Sequence, residues 1–196
     1  MKENQNGRSM IEMLGVLAVV GVLSVGGLSV FTKAQNEHKL SQLVVDVTNM
    51  ATIAKKMACK FDDGYTNYNQ FMGKSKKIPA DWKYDKDDAT EFTANTGEVV
   101  EFTYTQGSKT AEGKYISSKL EVEISNLKKQ ACIKLASNDY GKRRNTGLLG
   151  LNVNSASSSS YHADTTKKEY PMTISTAVSK CDKEENTIYL FYKGCN

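Results

Sequence analysis

The sequence predicts an α+β fold in which a long N-terminal helix packs, through its C-terminal half, on an antiparallel β-sheet. Three features lead to this prediction. No residue from Met13 to Phe31 is charged. The segment after it repeats apolar residues at helical spacing, and two later segments alternate apolar with polar residues as half-buried strands do. With 196 residues in all, the chain has room for about one ordinary domain.

The uncharged segment is long enough for a helix that crosses a bilayer, because about 18 apolar residues suffice. Glu12 lies at its edge. Burying a carboxylate costs on the order of 3 kcal/mol at the centre of a membrane, and less near the interface. An acid in this place therefore predicts a functional role with a charged partner. The alternative is a chance Glu at the boundary of a simple membrane anchor.

A second apolar pattern continues the helix beyond the membrane-sized segment. Neither Pro nor Gly occurs from 28 to 63, so we expect a single helix from about Arg8 to Lys60, ended by Asp62-Asp63-Gly64. Its second half would pack on the rest of the chain through one buried face. The apolar residues at steps of three and four are Ala34, Leu40, Leu43, Val44, Val47, Met50, Ala54, Met57 and Ala58.

The next part of the chain, residues 61–98, is polar and is expected to form loops. Two alternating segments follow and predict two antiparallel strands with one buried face. Their inward residues are Val100, Phe102 and Tyr104 in the first strand and Leu120, Val122 and Ile124 in the second. The remaining expected elements are a helix over Leu127–Ala136 capped by Asn126, strands at 172–175 and 187–193, and a flexible loop at Ser157–Ser160.

Four cysteines lie after the uncharged segment: Cys59, Cys132, Cys181 and Cys195. An even number beside an exported-looking N-terminus favours an oxidising compartment and two disulfides. No pair has CxxC spacing and only two histidines occur, so neither a zinc site nor a redox motif is expected. Four cysteines allow three pairings. One of them is a local Cys181–Cys195 bridge, which would join Cys59 to Cys132.

Composition and motifs argue against several classes of function. The net charge of +4 is too small to indicate a nucleic-acid binder by itself. The basic segments at 74–77 and 142–144 are expected to be solvated loops, although the second could contact phosphates of DNA. Acidic clusters at 62–63 and 85–88 lack the spacing of an EF-hand. No GxSxG, P-loop or HExxH motif occurs, so we expect neither an enzyme, nor a metal site, nor a cofactor.

The segment G7-R8-S9-M10-I11-E12-M13-L14 resembles the type III signal of type IV prepilins, which places a Gly before the cut and a Glu at the fifth mature position. The resemblance implies a leader of residues 1–7 that a prepilin peptidase removes after Gly7. It implies that Arg8 becomes an N-methylated N-terminus. Residues 8–32 would be the transmembrane segment and later the filament core. Residues 33–196 would be a globular pilin head that includes the second half of the helix.

Glu12 would be the acid of this signal, and its role has a physical reason. A carboxylate buried among packed helices needs a cation, and the N-terminal amine of Arg8 on a neighbouring subunit can supply it. A wrongly stacked helix would leave the charge unpaired at a cost of several kcal/mol. The pair would therefore set the axial register of a filament.

The rest of the chain also resembles the heads of type IV pilins, and of the type IVb group in particular. The similar segments are EVEISNLKKQACIKLAS, TAVSKC and TIYLFYK, at 121–137, 176–181 and 187–193. The resemblance implies a disulfide between Cys132 and Cys181, which leaves Cys59 with Cys195.

The resemblance implies a structural subunit of a type IV pilus. Its precursor would span the inner membrane once, and the assembled subunit would be extracellular. Its partners would be other copies of the chain, the prepilin peptidase, and an assembly platform with its ATPase; nucleic acid is a less favoured partner. Adhesion, motility, DNA uptake and secretion all stay open. The alternatives are a minor pilin, a type II secretion pseudopilin, or a membrane-anchored adhesin that uses its head alone.

Overall fold

The computed structural model describes residues 6–58, 68–84, 91–105, 107–109, 111, 115–116, 118–140, 147–156 and 171–194. The chain divides into two compact units, Met1–Ser41 and Gln42–Asn196. The second is called the head unit below. The first helix, α1 (Asn6–Ala58), contributes residues to both units, so the predicted long helix is confirmed.

The head unit combines helices with an antiparallel sheet. Its further helices are α2 (Tyr68–Lys74), α3 (Lys129–Ala136) and α4 (Ile174–Lys180). Its strands are β1 (Phe92–Thr93), β2 (Val99–Thr105), β3 (Ser108–Lys109), β4 (Tyr115–Ile116), β5 (Lys119–Leu127), β6 (Leu148–Val153) and β7 (Asn186–Lys193). Five strands form one sheet in the order β1-β2-β5-β7-β6, and β3 pairs with β4 separately. The α+β prediction is therefore confirmed.

The core of the head unit contains one stripe of α1 and one face of the sheet. On α1, the residues Leu43, Val47, Met50 and Ala54 follow each other at steps of three and four, and none is more than 3% exposed. On the sheet, β2 and β5 pair so that Phe102 lies opposite Val122. Burying each such side chain contributes about 1.5–3 kcal/mol. The two strands predicted from alternation are confirmed, as is the closing strand β7.

Helix α2 protects a part of the sheet edge that β1 leaves open. The two residues of β1 pair only with Val99 and Val100, so the backbone N–H of Phe102 needs another acceptor. The buried Asn69 of α2 supplies it through Oδ1 at 3.1 Å. The expectation of loops over 61–98 is therefore wrong for α2 and β1. At least one polar residue of this segment, Asn69, is buried and accepts a hydrogen bond from the backbone, so polar composition here does not mean exposure to solvent.

The end of α2 is a Schellman turn with a lysine at its left-handed position. The N–H of Lys77 donates to the carbonyl of Met72 and the N–H of Lys76 to that of Gly73, at 3.2 and 3.1 Å. Lys76 has φ of 53°, a conformation in which Gly is usual because it has no Cβ. Lys74, Lys76 and Lys77 are all exposed. These three residues are called the lysine turn below.

The predicted cap of the third helix is wrong. Strand β5 continues through Leu127, and α3 begins only at Lys129, with Lys128 at the N-cap position. Asn126 instead takes the left-handed conformation (φ 59°) where the register of β5 and β7 shifts. Its side chain donates to the carbonyl of Gly97 at 2.8 Å. Asn adopts the left-handed conformation more readily than most residues. An Asn at this position is therefore compatible with a strand irregularity as well as with a helix cap, and the sequence alone does not distinguish the two.

Two other segments differ from the prediction. Residues 172–175 were expected to form a strand, but α4 starts there, because the hydroxyl of Thr173 accepts a hydrogen bond from the N–H of Thr176 at 3.2 Å. Strand β6 was not predicted. Its sequence, LLGLNV, is an apolar run without alternation, and such a run does not distinguish a buried strand from other buried segments.

One disulfide joins α3 to the residue that follows α4. Cys132 and Cys181 are bonded, with their Cα atoms 5.9 Å apart, and this predicted pair is confirmed. It connects residues separated by 49 positions, which in the chain-entropy description stabilises the fold by about 4 kcal/mol. Cys59 and Cys195 lie outside the described residues, so their pairing stays a prediction. Also outside are Asp62-Asp63-Gly64, 85–88, 142–144, Ser157–Ser160 and His162.

Replacing Lys76 by Gly is expected to raise the free energy of unfolding by about 1 kcal/mol, because Gly adopts the left-handed conformation without strain. The measurement is urea unfolding of the full chain in detergent micelles, followed by circular dichroism. Lys77→Gly is the matched control. Lys77 is not left-handed, so this change is expected to leave stability unchanged or lower it. Equal effects of the two changes would contradict the strain at Lys76.

Candidate assembly surface and charged patches

The N-terminal part of α1 exposes its apolar side chains. From Met10 to Phe31 the large apolar residues are between 52% and 75% exposed. The most apolar part of the helix has a mean hydropathy of 2.3, and none of it is buried. By length and composition, this helix can cross a membrane. The first unit therefore presents a surface that the described residues do not cover and that favours an apolar environment.

Two hydroxyl groups of this part of α1, those of Ser24 and Thr32, have partners in the helix itself. Ser24 donates to the carbonyl of Val20 at 2.7 Å. Thr32 donates to the carbonyls of Leu28 and Ser29 at 3.1 and 3.0 Å. Such internal bonds lower the cost of placing a hydroxyl where no water is present. From Met13 to Phe31, the surface of α1 is thus compatible with lipid or with other helices. Glu12, at the edge of this segment, is the exception.

That acid is Glu12, which is exposed and is the only charged residue from Ser9 to Thr32. Gly7 and Arg8 belong to the same helix, whose side chains are described from Met10 onward. The structure thus places the three residues of the predicted signal in the first turns of α1. The predicted pair of Glu12 with the amine of Arg8 involves a second chain and stays a prediction.

Four glycines of α1 have no packing role among the residues that the structure describes. A Cβ added to Gly15, Gly21, Gly26 or Gly27 would meet no atom within 4 Å among the described residues. Each Gly in a helix costs about 1 kcal/mol relative to Ala. Small residues allow two helices to approach closely in an apolar environment. Since no described residue packs against these glycines, their presence is consistent with close packing of α1 helices from different chains.

The head unit carries a group of three glutamates on the outer face of its sheet. Glu101 of β2 lies directly opposite Glu123 of β5, and Glu121 lies two residues along β5 on the same face. We call these three residues the acidic row. Burial, followed by the charge of Glu123, raises the pKa of Glu101 and of Glu121. Like charges directly opposite each other across two strands are destabilising.

Side chains of the described part of the chain, among them Tyr189 and Lys119, act on the acidic row. The hydroxyl of Tyr189, on β7, donates to Oε1 of Glu123 at 3.4 Å, and burial raises the pKa of this tyrosine. Lys119 lowers the pKa of Glu121, but less than burial and the neighbouring glutamates raise it. The three glutamates alternate with the inward residues of β2 and β5, so the alternation in the sequence indicates that they lie on the polar face. That Glu101 lies beside the other two depends on the register of the two strands.

The described residues hold no group of three or more His, Cys, Asp or Glu side chains placed to bind a metal ion. His38 lies exposed on α1. The geometry of the chain therefore offers two kinds of surface: an apolar helix with one acid, and a head unit with patches of opposite charge.

These features are those of a type IV pilin. The solved structure described as "type IV b pilin from Salmonella typhi" is similar, with a TM-score of 0.54 and 15% sequence identity, over 77% of this chain and 97% of that chain. A comparison with curated protein sequences finds no match. The model of the Bundlin family matches residues 32–188, and the chain therefore belongs to the Bundlin family of type IV pilins. This family and fold are those of structural proteins, and they support the role of a pilus subunit.

Replacing Glu101 by Gln is expected to stabilise the chain at pH 7 by less than about 1 kcal/mol, since solvent screens part of the repulsion. A carboxyl whose pKa is raised by folding destabilises the fold above that pKa. The gain should therefore shrink as pH falls and vanish below about pH 4, where Glu is protonated in both states. Urea unfolding between pH 3.5 and 7 measures it. The exposed Glu184→Gln is the control, and a gain that persists at pH 3.5 would contradict the prediction.

Proposed function

We propose that this chain is a subunit of a type IV pilus that polymerises through the apolar part of α1. The observation that carries the proposal is the exposure of the apolar side chains from Met10 to Phe31. Removing one large apolar side chain from water contributes about 1.5–3 kcal/mol. The helix therefore requires an apolar environment at every stage, which is lipid for the precursor and the α1 helices of other subunits in the filament.

Processing prepares the helix for this transfer. A prepilin peptidase cleaves after Gly7, and Arg8 becomes the N-methylated first residue. An assembly platform in the inner membrane and its ATPase supply the work of extraction. The subunit supplies the packing surface, and the filament then lies outside the cell. The match to the Bundlin family begins at residue 32, so this part of the proposal rests on the N-terminal motif and on the apolar helix.

Glu12 guides the packing of one helix on the next. Its carboxylate pairs with the N-terminal amine of Arg8 of a neighbouring subunit. In the apolar interior of a filament, an unpaired carboxylate would cost several kcal/mol. Only the stacking that brings the two groups together avoids this cost, so the pair sets the register. The glycines of α1 allow the close approach that such a contact needs.

The filament displays the head units at its surface, where they serve adhesion, motility or DNA uptake. A major pilin, a minor pilin and a type II secretion pseudopilin share the same helix. They differ in abundance: a major subunit makes up most of the filament. The amount of this chain in sheared filaments therefore distinguishes them.

Replacing Glu12 by Gln is expected to reduce the yield of filaments at least tenfold, because the register-setting pair is lost. The yield is measured in material sheared from cells that produce the variant, and the membrane fraction is probed to show that the precursor is still inserted. Glu37→Gln, on α1 beyond the uncharged segment, is the matched control and should keep the normal yield. Normal filaments with Glu12→Gln would sink the proposed packing and would favour a membrane-anchored adhesin.

Mass spectrometry of sheared filaments is expected to identify Arg8, carrying one methyl group, as the N-terminus. It should also identify Glu12 within the same N-terminal peptide, because the apolar segment is retained. Gly7→Leu in the precursor removes the residue before the cut and serves as the control, for which only uncut chain in the membrane is expected. Filaments that contain residues 1–7, or that lack the whole apolar segment, would exclude this processing.

A further inference from the structure

Two patches of the head unit have opposite charge, and each is unfavourable within a single subunit. In the acidic row, Glu101 lies opposite Glu123, where like charges repel. In the lysine turn, Lys76 holds a left-handed conformation that suits Gly. Folding of the isolated subunit explains neither arrangement. A partner of opposite charge gives a reason for both.

The two patches do not neutralise each other within one subunit. Among the described residues, no ion pair links the lysine turn to the acidic row. The pKa of Glu101 is raised, first by burial and then by Glu123 and Glu91, and a lysine close to it would act in the opposite direction. The three lysines are exposed. The three glutamates are half-buried, and among the described residues neither patch neutralises the other.

We propose that the lysine turn of one copy of this chain binds the acidic row of a second copy. This inference rests on the proposed function, because a filament brings many identical head units together. A contact between two different patches of the same subunit is heterologous, and heterologous contacts that do not close into a ring build open helical filaments. The charges match in number as well as in sign, with three lysines facing three glutamates.

Such a contact is weak for one pair of subunits and significant in a polymer. Exposed ion pairs contribute little individually because water and salt screen them. In a filament, each subunit offers both patches, and every contact forms between heads that α1 already holds close together. The effective concentration is then high and the contributions add. The contact orders the heads, while α1 supplies most of the binding energy.

Carbodiimide cross-linking of sheared wild-type filaments tests the contact directly, because this reagent joins a lysine amine to a carboxylate that it already touches. We expect covalent dimers whose linked peptides join the lysine turn to the acidic row. The same link found only in monomers would place the contact within one subunit. Dimers linked only through other lysines, such as Lys128 or Lys129, would also overturn the proposal.

Charge reversal gives an independent test. The acidic variant pair is Glu101→Lys with Glu123→Lys, and the basic variant pair is Lys74→Glu with Lys77→Glu. Each pair alone is expected to lower the yield of sheared filaments at least tenfold. All four changes together restore complementarity and should return the yield to within about threefold of wild type. A fourfold variant as poor as either pair would overturn the proposal.

Matched controls separate this effect from folding and from net charge. Lys128→Glu with Lys129→Glu, and Glu184→Lys with Glu185→Lys, change the same charges at exposed positions elsewhere and should keep the wild-type yield. Glu101→Gln and Lys76→Gly are expected to stabilise the chain and yet reduce the yield. A loss of assembly in a more stable chain cannot come from unfolding.

The outcomes also distinguish this inference from the proposed function. If the wild-type chain forms no filaments, the proposed function fails. If it does, and both variant pairs match the controls, only the contact between heads is wrong. A third outcome concerns nucleic acid. If filaments of the variant Lys74→Glu with Lys77→Glu form in normal yield but retain less DNA than wild-type filaments, the lysine turn binds nucleic acid. That result would also overturn the proposal.

Discussion

The constraint on which the rest of this protein depends is that the apolar surface of α1 has no partner within the described chain. The side chains from Met10 to Phe31 are exposed over their whole length, and water is an unfavourable environment for them. The hydroxyls of Ser24 and Thr32 are satisfied inside the helix, and Glu12 is the one charged residue of the sequence from Ser9 to Thr32. The proposed function uses both properties: the apolar surface allows the helix to pass from lipid to other helices, and the pairing of Glu12 would set the register in which it packs.

The head unit is stabilised by means that do not use this surface. Its core takes a stripe of α1 that begins only at Leu43, together with one face of the sheet. The bond between Cys132 and Cys181 holds α3 to the end of α4, and Asn69 satisfies the open edge of β2. The proposed function needs a head unit of this kind, which stays folded without the apolar surface of the first unit. The apolar residues of α1 are therefore continuous from Met13 to Phe31, where no described residue covers them. From Leu43 onward they follow one side of the helix, which is buried in the head unit.

The sequence predicted the elements whose pattern is local and strong. The continuous apolar run and the one-sided stripe predicted α1, and strict alternation predicted β2 and β5. Local pattern gave wrong or missing predictions where contacts distant in sequence determine the structure. Asn126 fits both a helix cap and a left-handed irregularity in a strand. The apolar run of β6 has no periodicity that would identify it as a strand. The pairing of Cys132 with Cys181 came from the family resemblance, since spacing alone left three choices. The acidic row could not be predicted, because three glutamates become neighbours only through the register of two strands.

The charged patches of the head unit are unfavourable for the stability of one copy, and the proposed contact between head units gives a reason for both. A chain selected only for folding would replace the opposed pair Glu101 and Glu123 and would use Gly in place of Lys76, because both changes remove strain or repulsion. Natural proteins accept such local losses where a site needs them. Under the proposed contact between head units, the like-charge pair that is unfavourable in one copy would lie opposite lysines of a second copy and become favourable there. Stability measured on one copy therefore describes only part of what the sequence of a filament subunit specifies.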